Sequence, residues 1–222
     1  MHGDLEVIKF LEKVQFDRKY CELFDISMYK NVDEFCSFGY EWGDYGFRKT
    51  PIKEPSIDNT KNEVWCFGCS FTAGTGISAS YVWPTILQEY TNKTVVNFGV
   101  GGAGPETVLR LLNGWLEHSE HKPSDILIYG FFPGRFEFTT NEGLTFPFVS
   151  GEYNDIIRKF PYKKKELDAK LLKNEVLYNN WESSIKKTLE EYKINYIWID
   201  IEENRDWRFE DISWGRDLIS MQ

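Results

Sequence analysis

Four short apolar runs, separated by amphipathic segments, constrain the fold of this chain most. Each run is predicted as a strand: 63–69, 94–99, 125–132 and 195–201. The third run is almost unbroken in apolar residues, as is typical of a sheet covered on both faces. Strands that alternate with helices favour parallel pairing, so we predict an α/β fold with three α/β/α layers and a mainly parallel sheet.

Three helices are predicted between these strands, near 79–90, 105–117 and 165–192. Pro84 predicts a late start or a kink in the first helix, and Pro105 suits the first turn of the second. The third is predicted from an apolar stripe along its whole length, made of Leu167, Leu171, Leu172, Val176, Trp181, Ile185 and Leu189.

The remaining segments surround this α/β core. Residues 1–61 are predicted as an irregular, aromatic-rich lead-in with one short amphipathic helix at 4–15, and residues 62–222 as the α/β domain. An insertion rich in Phe, Gly and Pro occupies 133–164. We expect the lead-in and the insertion to cover a cleft and to set specificity there.

Composition excludes several classes of protein. The 222 residues are 41% hydrophobic, enough for a substantial core, and the formal net charge of −9 argues against nucleic acid as the main partner. No run is apolar and long enough to span a bilayer, and the first residues lack the pattern of a signal peptide. We therefore expect a cytoplasmic protein whose four cysteines stay reduced.

The segment 64–76 ends an apolar strand abruptly in Gly68-Cys69-Ser70, before small residues and glycines. In an open α/β sheet the turn after the first strand is a place where ligands and nucleophiles collect, so the Ser70 hydroxyl is the first candidate group. A phosphate-binding P-loop would need a lysine after its last glycine, which this segment lacks. An α/β-hydrolase elbow would need glycine where Thr72 stands.

A second glycine-rich turn, Gly99–Gly104, follows the second strand and reads Gly-x-Gly-x-x-Gly. This pattern between a strand and a helix is the context of a dinucleotide fingerprint. The strand at 125–132 ends in Phe131-Phe132-Pro133, however, where an acid for the ribose hydroxyls would be expected. Dinucleotide binding at this turn is one hypothesis for this chain, and it ranks behind the two given below.

The two glycine-rich turns together resemble the first two blocks of the SGNH/GDSL hydrolases. Residues 68–76 match Gly-Asp-Ser-x-Thr-x-Gly-x-Gly except at Cys69, where the family has aspartate, and 96–102 resemble the second block. The upstream segment Gly39–Arg48 is also similar to lead-ins of some members. The resemblance implies a flavodoxin-like sheet and acyl transfer from a small-molecule, carbohydrate or lipid ester, without a cofactor.

In that chemistry Ser70 attacks the ester carbonyl, a histidine takes its proton and a carboxylate orients the histidine. The resemblance implies that the backbone N–H groups of Ser70 and Gly102 form the oxyanion hole, and that Asp217 is the carboxylate. Ser220 stands where the family has its histidine, and no asparagine follows the third strand. A protein of this fold that only binds a ligand in the same cleft is therefore the second hypothesis.

The chain contains three histidines. His118 and His121 are predicted at the far end of the second helix, away from the ends of the strands where Ser70 lies, and His2 lies in the terminus. Cys66 and Cys69 form a C-x-x-C pair, but the pair straddles the end of a strand rather than opening a helix, so we predict a structural role for both.

Overall fold

The computed structural model describes residues 41–75, 78–131, 134–150 and 153–199. A four-stranded parallel sheet forms its centre, with strands β1 (Glu63–Gly68), β2 (Thr94–Gly99), β3 (Asp125–Tyr129) and β6 (Asn195–Ile199). Strands β4 (Arg135–Thr139) and β5 (Thr145–Val149) pair separately as an antiparallel hairpin. The predicted helix at 4–15 lies outside the described residues.

Six α-helices connect or follow these strands within the described residues. They are α1 (Ser70–Ala73), α2 (Trp83–Tyr90), α3 (Pro105–His118), α4 (Tyr153–Lys159), α5 (Lys164–Leu172) and α6 (Asn174–Glu191). Short 3₁₀ turns occupy Ala79–Tyr81 and Pro161–Lys163. As Pro84 predicts, α2 starts late, with the proline in its first turn where no backbone donor is needed.

The strand order β2-β1-β3-β6 follows the flavodoxin-like pattern, in which the second strand lies outside the first and later strands add on the other side. Both faces of the sheet are buried because alternate residues of each strand point to opposite sides. Trp65 and Phe67 pack with α3 and α6 on one face, whereas Val64 and Cys66 pack with α2 on the other. The predicted three-layer architecture with a parallel sheet is confirmed.

The described part of the lead-in packs onto this domain. Phe47 is buried in the main core, with ring centroids 5.3 Å from Phe98 and 6.2 Å from Trp115. Lys53 forms an isolated parallel bridge with Val96, beside the outer strand β2. These residues therefore extend the core of the α/β domain.

The insertion has a small core of its own. Phe136 pairs with Phe148 and Phe138 with Phe146 across the β4–β5 hairpin, which we name the Phe hairpin. Their rings are buried, with centroids 4.5 Å apart in the first pair and 5.6 Å apart in the second. Leu167 of α5 joins the same cluster, so the insertion is a packed substructure rather than an open loop.

The single helix predicted at 165–192 is wrong. Two helices, α5 and α6, occupy this region and are separated at Lys173. The Asn174 side-chain oxygen accepts a hydrogen bond of 2.9 Å from the Gly134 N–H. A polar side chain bonded to backbone elsewhere competes with continuation of the helix, so Asn174 favours a helix boundary. Because the break shifts the helical phase, Leu172 and Val176 are 87% and 63% exposed and do not belong to an apolar stripe.

Candidate active site

Ser70 and Gly102 lie beyond the same end of the sheet. The partners Gly68 and Gly99 are the last paired residues of the parallel strands β1 and β2. Ser70 follows two residues after Gly68, and Gly102 three residues after Gly99. We name this end, where the parallel strands terminate, the carboxyl edge, and the opposite end the amino edge. The two residues predicted to act together thus extend from neighbouring strands at one edge.

Ser70 is the first residue of the short helix α1. Cys69 before it is extended, whereas Gly74 after the helix has φ 75°, a left-handed conformation that glycine adopts without strain. The Ser70 carbonyl accepts hydrogen bonds from the N–H groups of Gly74 and, at 2.8 Å, Thr75. The Ser70 residue is half-buried, and Phe71 beside it is 53% exposed, so this part of α1 faces solvent.

Gly99 allows α1 to lie directly against the end of β2. A Cβ atom at Gly99 would lie 2.2 Å from the Ala73 nitrogen and 2.5 Å from the Thr72 carbonyl carbon. Both neighbours are backbone atoms, which cannot move aside as the end of a side chain can. Glycine at this position therefore fixes the distance between the strand β2 and the helix that carries Ser70.

Asn97 ties the same two elements together and was not identified from the sequence as a site residue. Its side chain, 4% exposed, donates 2.8 Å to the Thr72 carbonyl and accepts 2.8 Å from the Gly99 N–H. A lone polar residue inside the apolar run Thr94–Gly99 is the signal that could have found it, because a buried amide needs partners.

Gly102 occupies a tight turn. The Ala103 N–H donates 3.1 Å to the Val100 carbonyl, and Gly102 has φ 75°, as the third residue of a type II turn requires. Within the described part of the chain, the Gly102 N–H donates no hydrogen bond. The same holds for the Ser70 N–H, which as the first residue of a helix has no intrahelical acceptor. Two backbone donors at the carboxyl edge thus have no acceptor among the described residues.

The Phe hairpin lies beside the second glycine turn. A Cβ at Gly102 would lie 3.5 Å from Val149 and 3.6 Å from Pro147, and one at Gly104 would lie 2.2 Å from the Arg135 carbonyl oxygen. The close approach of Gly99 to α1 and of Gly104 to the hairpin gives two glycines of the Gly-x-Gly-x-x-Gly pattern a packing role. A bound pyrophosphate is not needed to explain them.

Ion pairs hold the hairpin against α3 and α5. Arg110 of α3 donates 2.8 Å to the Glu137 carboxylate, and Lys170 of α5 donates 2.6 Å to the Glu137 carbonyl and 3.1 Å to Glu106. Burial raises the pKa of Glu106 and outweighs the hydrogen bonds from Glu137 and Lys170 that lower it. The wall beside Gly102 is thus fixed by charged side chains as well as by its Phe core.

Aromatic side chains form the other side of the Ser70 turn. The Tyr129 ring, at the end of β3, lies 5.9 Å from Phe71 and 6.5 Å from Trp83, centroid to centroid. Trp83 also donates 3.3 Å to the Thr72 hydroxyl. Burial, with a smaller contribution from Cys69, raises the pKa of Tyr129, so its phenol remains protonated near neutral pH.

The predicted partners of Ser70 are not brought together by the described residues. Asp217 and His2 lie outside them. His118 ends α3, and His121 is bonded through its backbone to Asn59, at the amino edge of the sheet. The prediction that these two histidines lie away from Ser70 is confirmed, and no described side chain hydrogen-bonds the Ser70 hydroxyl.

The two described cysteines belong to different packing clusters. Cys66 is buried against α2, where burial raises the pKa of its thiol well above the usual value, and Cys69 is buried in the main core. Both are free thiols. Among the described residues, no group of three or more His, Cys, Asp or Glu side chains is placed to hold a metal ion.

Within the described part of the chain, no helix has both the length and the apolar character needed to cross a membrane. No protein-family model matches the sequence, and no curated protein matches it.

Solved structures of several esterases are similar to this chain. A member of the lipolytic G-D-S-L family from Veillonella parvula is 15% identical, covering 66% of this chain and 84% of its own, with a TM-score of 0.32. The SGNH-hydrolase family esterase AlinE4 is also 15% identical, covering 73% and 93%, with a TM-score of 0.32. The esterase EstA from Pseudoalteromonas is 14% identical, covering 69% and 86%, with a TM-score of 0.33.

Proposed function

We propose that this protein is an ester hydrolase of the SGNH/GDSL type, with Ser70 as the nucleophile. The observation that carries the proposal is the geometry of the carboxyl edge. A half-buried serine begins a helix there, and the N–H groups of Ser70 and Gly102 are left without acceptors in the described residues. Donors held ready in this way are what a developing oxyanion needs.

The reaction follows from these groups. The Ser70 oxygen attacks the ester carbonyl carbon, its proton passes to a base, and the carbonyl oxygen becomes an oxyanion that accepts hydrogen bonds from Ser70 and Gly102. One such donor contributes roughly 3–4 kcal/mol to the transition state. Collapse of the intermediate expels the alcohol with the proton, and water then releases the acid from Ser70.

Asp217 is proposed as the carboxylate of the site, because it matches the family's carboxylate position in the sequence. His118 and His121 are not proposed as the base for Ser70, because both lie toward the amino edge. The substrate is proposed to be a small-molecule, carbohydrate or lipid ester that lies between the Phe hairpin and the aromatic side chains around Tyr129. The net charge of −9 disfavours strongly anionic substrates.

A fluorophosphonate probe tests the proposal, because it forms a covalent adduct only with an activated serine. We expect the native protein to be labelled, Ser70→Ala to lose the adduct, and hydrolysis of p-nitrophenyl acetate to fall by at least ~10³-fold in that variant. Ser183→Ala, which removes an exposed hydroxyl on α6, is the matched control and should label normally.

The second candidate function is ligand binding without chemistry in the same cleft. It is favoured by Ser220 at the position where the family has histidine. Absence of a Ser70-dependent adduct on the native, folded protein would overturn the hydrolase proposal in favour of this second function. An adduct that persists in Ser70→Ala would also overturn the assigned role of Ser70.

A further inference from the structure

We propose that Arg48 is a positioning residue for the nucleophile, holding the turn on which Ser70 is mounted. The inference rests on the proposed function, since it assigns Arg48 a role in the same reaction. Among the described residues, Arg48 is one of three charged residues that are buried, with 3% of its surface exposed. A buried guanidinium is costly unless its donors find acceptors, so where they go is informative.

One nitrogen of the Arg48 guanidinium goes to the end of α1. One guanidinium nitrogen, Nη1, donates 3.3 Å to the Ala73 carbonyl and also donates to the Gly74 carbonyl. Carbonyls at the end of a helix have no intrahelical partner, and the partial negative charge there favours a cation. Arg48 is thus bonded to the residues that end the helix begun by Ser70.

The same turn is bonded to Ser70 itself. The Ser70 carbonyl accepts from the N–H groups of Gly74 and Thr75. Arg48 therefore fixes Gly74 through its carbonyl, and Gly74 fixes Ser70 through its N–H. A Cβ at Gly74 would lie 2.8 Å from Arg48 Nη1 and 2.2 Å from Val82, so the turn is closely confined between the two side chains.

The backbone of Arg48 is well anchored for this task. Arg48 forms an antiparallel bridge with Trp42, and the turn between them is closed by the Gly43 N–H, which donates 2.8 Å to the Phe47 carbonyl. Phe47, the preceding residue, is buried in the main core. The hydrogen-bonded turn of the lead-in thus holds the backbone of Arg48 in place while its side chain reaches the turn that follows Ser70.

A purely structural role would predict a different result from a positioning role. Removal of a structural contact lowers the stability of the whole domain, and the folded fraction still reacts at the normal rate. Removal of a positioning contact displaces the Ser70 hydroxyl relative to the oxyanion donors, which slows the folded protein. A displacement of about 1 Å can cost about 10²-fold in rate.

The experiment compares Arg48→Met and Arg48→Lys with Asn59→Ala as the matched control. Asn59, itself buried, also tethers the lead-in to the domain, but at the amino edge, by hydrogen bonds to the backbone of His121. In folded Arg48→Met we expect fluorophosphonate labelling and kcat for p-nitrophenyl acetate to fall ~10–100-fold, with KM little changed. Arg48→Lys should recover part of this loss, because lysine keeps the charge without the planar fork.

Hydrogen exchange provides a readout that does not depend on catalysis. We expect the Gly74 and Thr75 amides to exchange at least ~10-fold faster in Arg48→Met than in Asn59→Ala, at matched global stability. Equal exchange at these amides in the two variants would overturn the proposal, and so would normal labelling kinetics of folded Arg48→Met. If the native protein formed no Ser70 adduct, the hydrolase function would fail alone, and exchange would still decide whether Arg48 holds the turn.

Discussion

At the amino edge of the sheet, buried polar side chains form hydrogen bonds with other side chains and with the backbone. The Glu63 carboxylate, 1% exposed, accepts 2.6 Å from Lys53 and 2.8 Å from the Trp65 indole. The Asn59 side-chain amide donates to the His121 carbonyl and accepts from the His121 N–H. At the carboxyl edge, in contrast, Arg48 and Asn97 bond backbone atoms of the turns, and the N–H groups of Ser70 and Gly102 have no acceptor among the described residues.

Under the proposed function, one sheet serves stability at its amino edge and chemistry at its carboxyl edge. Arg48 and Asn97 are both buried, and both bond carbonyls of the α1 segment, so they stiffen the turn without occupying the Ser70 and Gly102 donors. An equivalent change should therefore have different consequences at the two edges. A substitution at the amino edge should lower only the stability of the protein. An equivalent substitution at the carboxyl edge should lower both the stability and the reactivity of Ser70.

The largest effect is expected from Gly99→Ala. The new Cβ would lie 2.2 Å from the Ala73 nitrogen, so α1 must move away from β2. Overpacking against backbone should lower the free energy of unfolding by about 3 kcal/mol and fluorophosphonate labelling of the folded protein by ~100-fold. Urea unfolding and labelling kinetics measure the two effects.

Gly101→Ala is the control in the same turn, because no described atom beyond its chain neighbours lies within 4 Å of its added Cβ. Its stability should stay within about 0.5 kcal/mol of the native protein. Equal labelling rates in the two alanine variants would contradict the role given to the contact between Gly99 and α1.

A smaller effect is expected from paired substitutions of buried asparagines, one at each edge. Asn97→Ala removes the side chain that bonds the Thr72 carbonyl and the Gly99 N–H. Asn59→Ala removes the side chain that bonds the carbonyl and the N–H of His121. Each should lose about 2–3 kcal/mol of stability in thermal or urea unfolding. Only Asn97→Ala should also slow Ser70 labelling, by ~10-fold. A comparable slowing in Asn59→Ala would erase the distinction between the edges.

The smallest effect concerns pH and the amino edge alone. Burial raises the pKa of Asp125, but hydrogen bonds from Lys93, Ser124 and Asn195 outweigh it, so the pKa lies below its ordinary value. The contribution to stability is therefore present above the ordinary pKa, near 3.9, and is lost as the pH falls through the lower folded value.

Asp125→Asn should cost about 0.5 kcal/mol at neutral pH, since the pair with Lys93 is partly exposed. The difference from the native protein should shrink as the pH falls below about 4, while Ser70 labelling near neutral pH stays unchanged. Unfolding curves at several pH values would measure this difference in stability between Asp125→Asn and the native protein. A stability difference that grows on acidification would contradict the assigned pKa direction.

The sheet and the placement of Ser70 and Gly102 could be predicted because they depend on local pattern. Apolar runs specify buried strands, and parallel strands bring the turns that follow them to one edge. The Phe hairpin carried an equally local signal, since Phe alternates with other residues around the turn at Gly143, but no strands were predicted there. The alternation predicts a hairpin with Phe on one face, whereas the structure buries Glu137 and Pro147 on the other face as well.

The roles of Arg48 and Asn97 could not be predicted in the same way. Each depends on a hydrogen bond to a carbonyl 25 or 26 residues away, and backbone carbonyls carry no sequence signature. The break at Lys173 is similar, because the Asn174 amide is engaged by Gly134, 40 residues earlier in the chain. Long-range contacts to backbone atoms account for what pattern alone did not predict.

The Phe hairpin has a further consequence for the order in which the molecule assembles. All buried members of its cluster lie between Phe136 and Leu167, whereas the main core joins residues from Phe47 to Ile194. Local contacts close small loops and form quickly, so this segment can condense and reopen on its own timescale. Because its buried cluster is separate from the main core, we expect that this insertion could be exchanged for a different one without repacking the central strands.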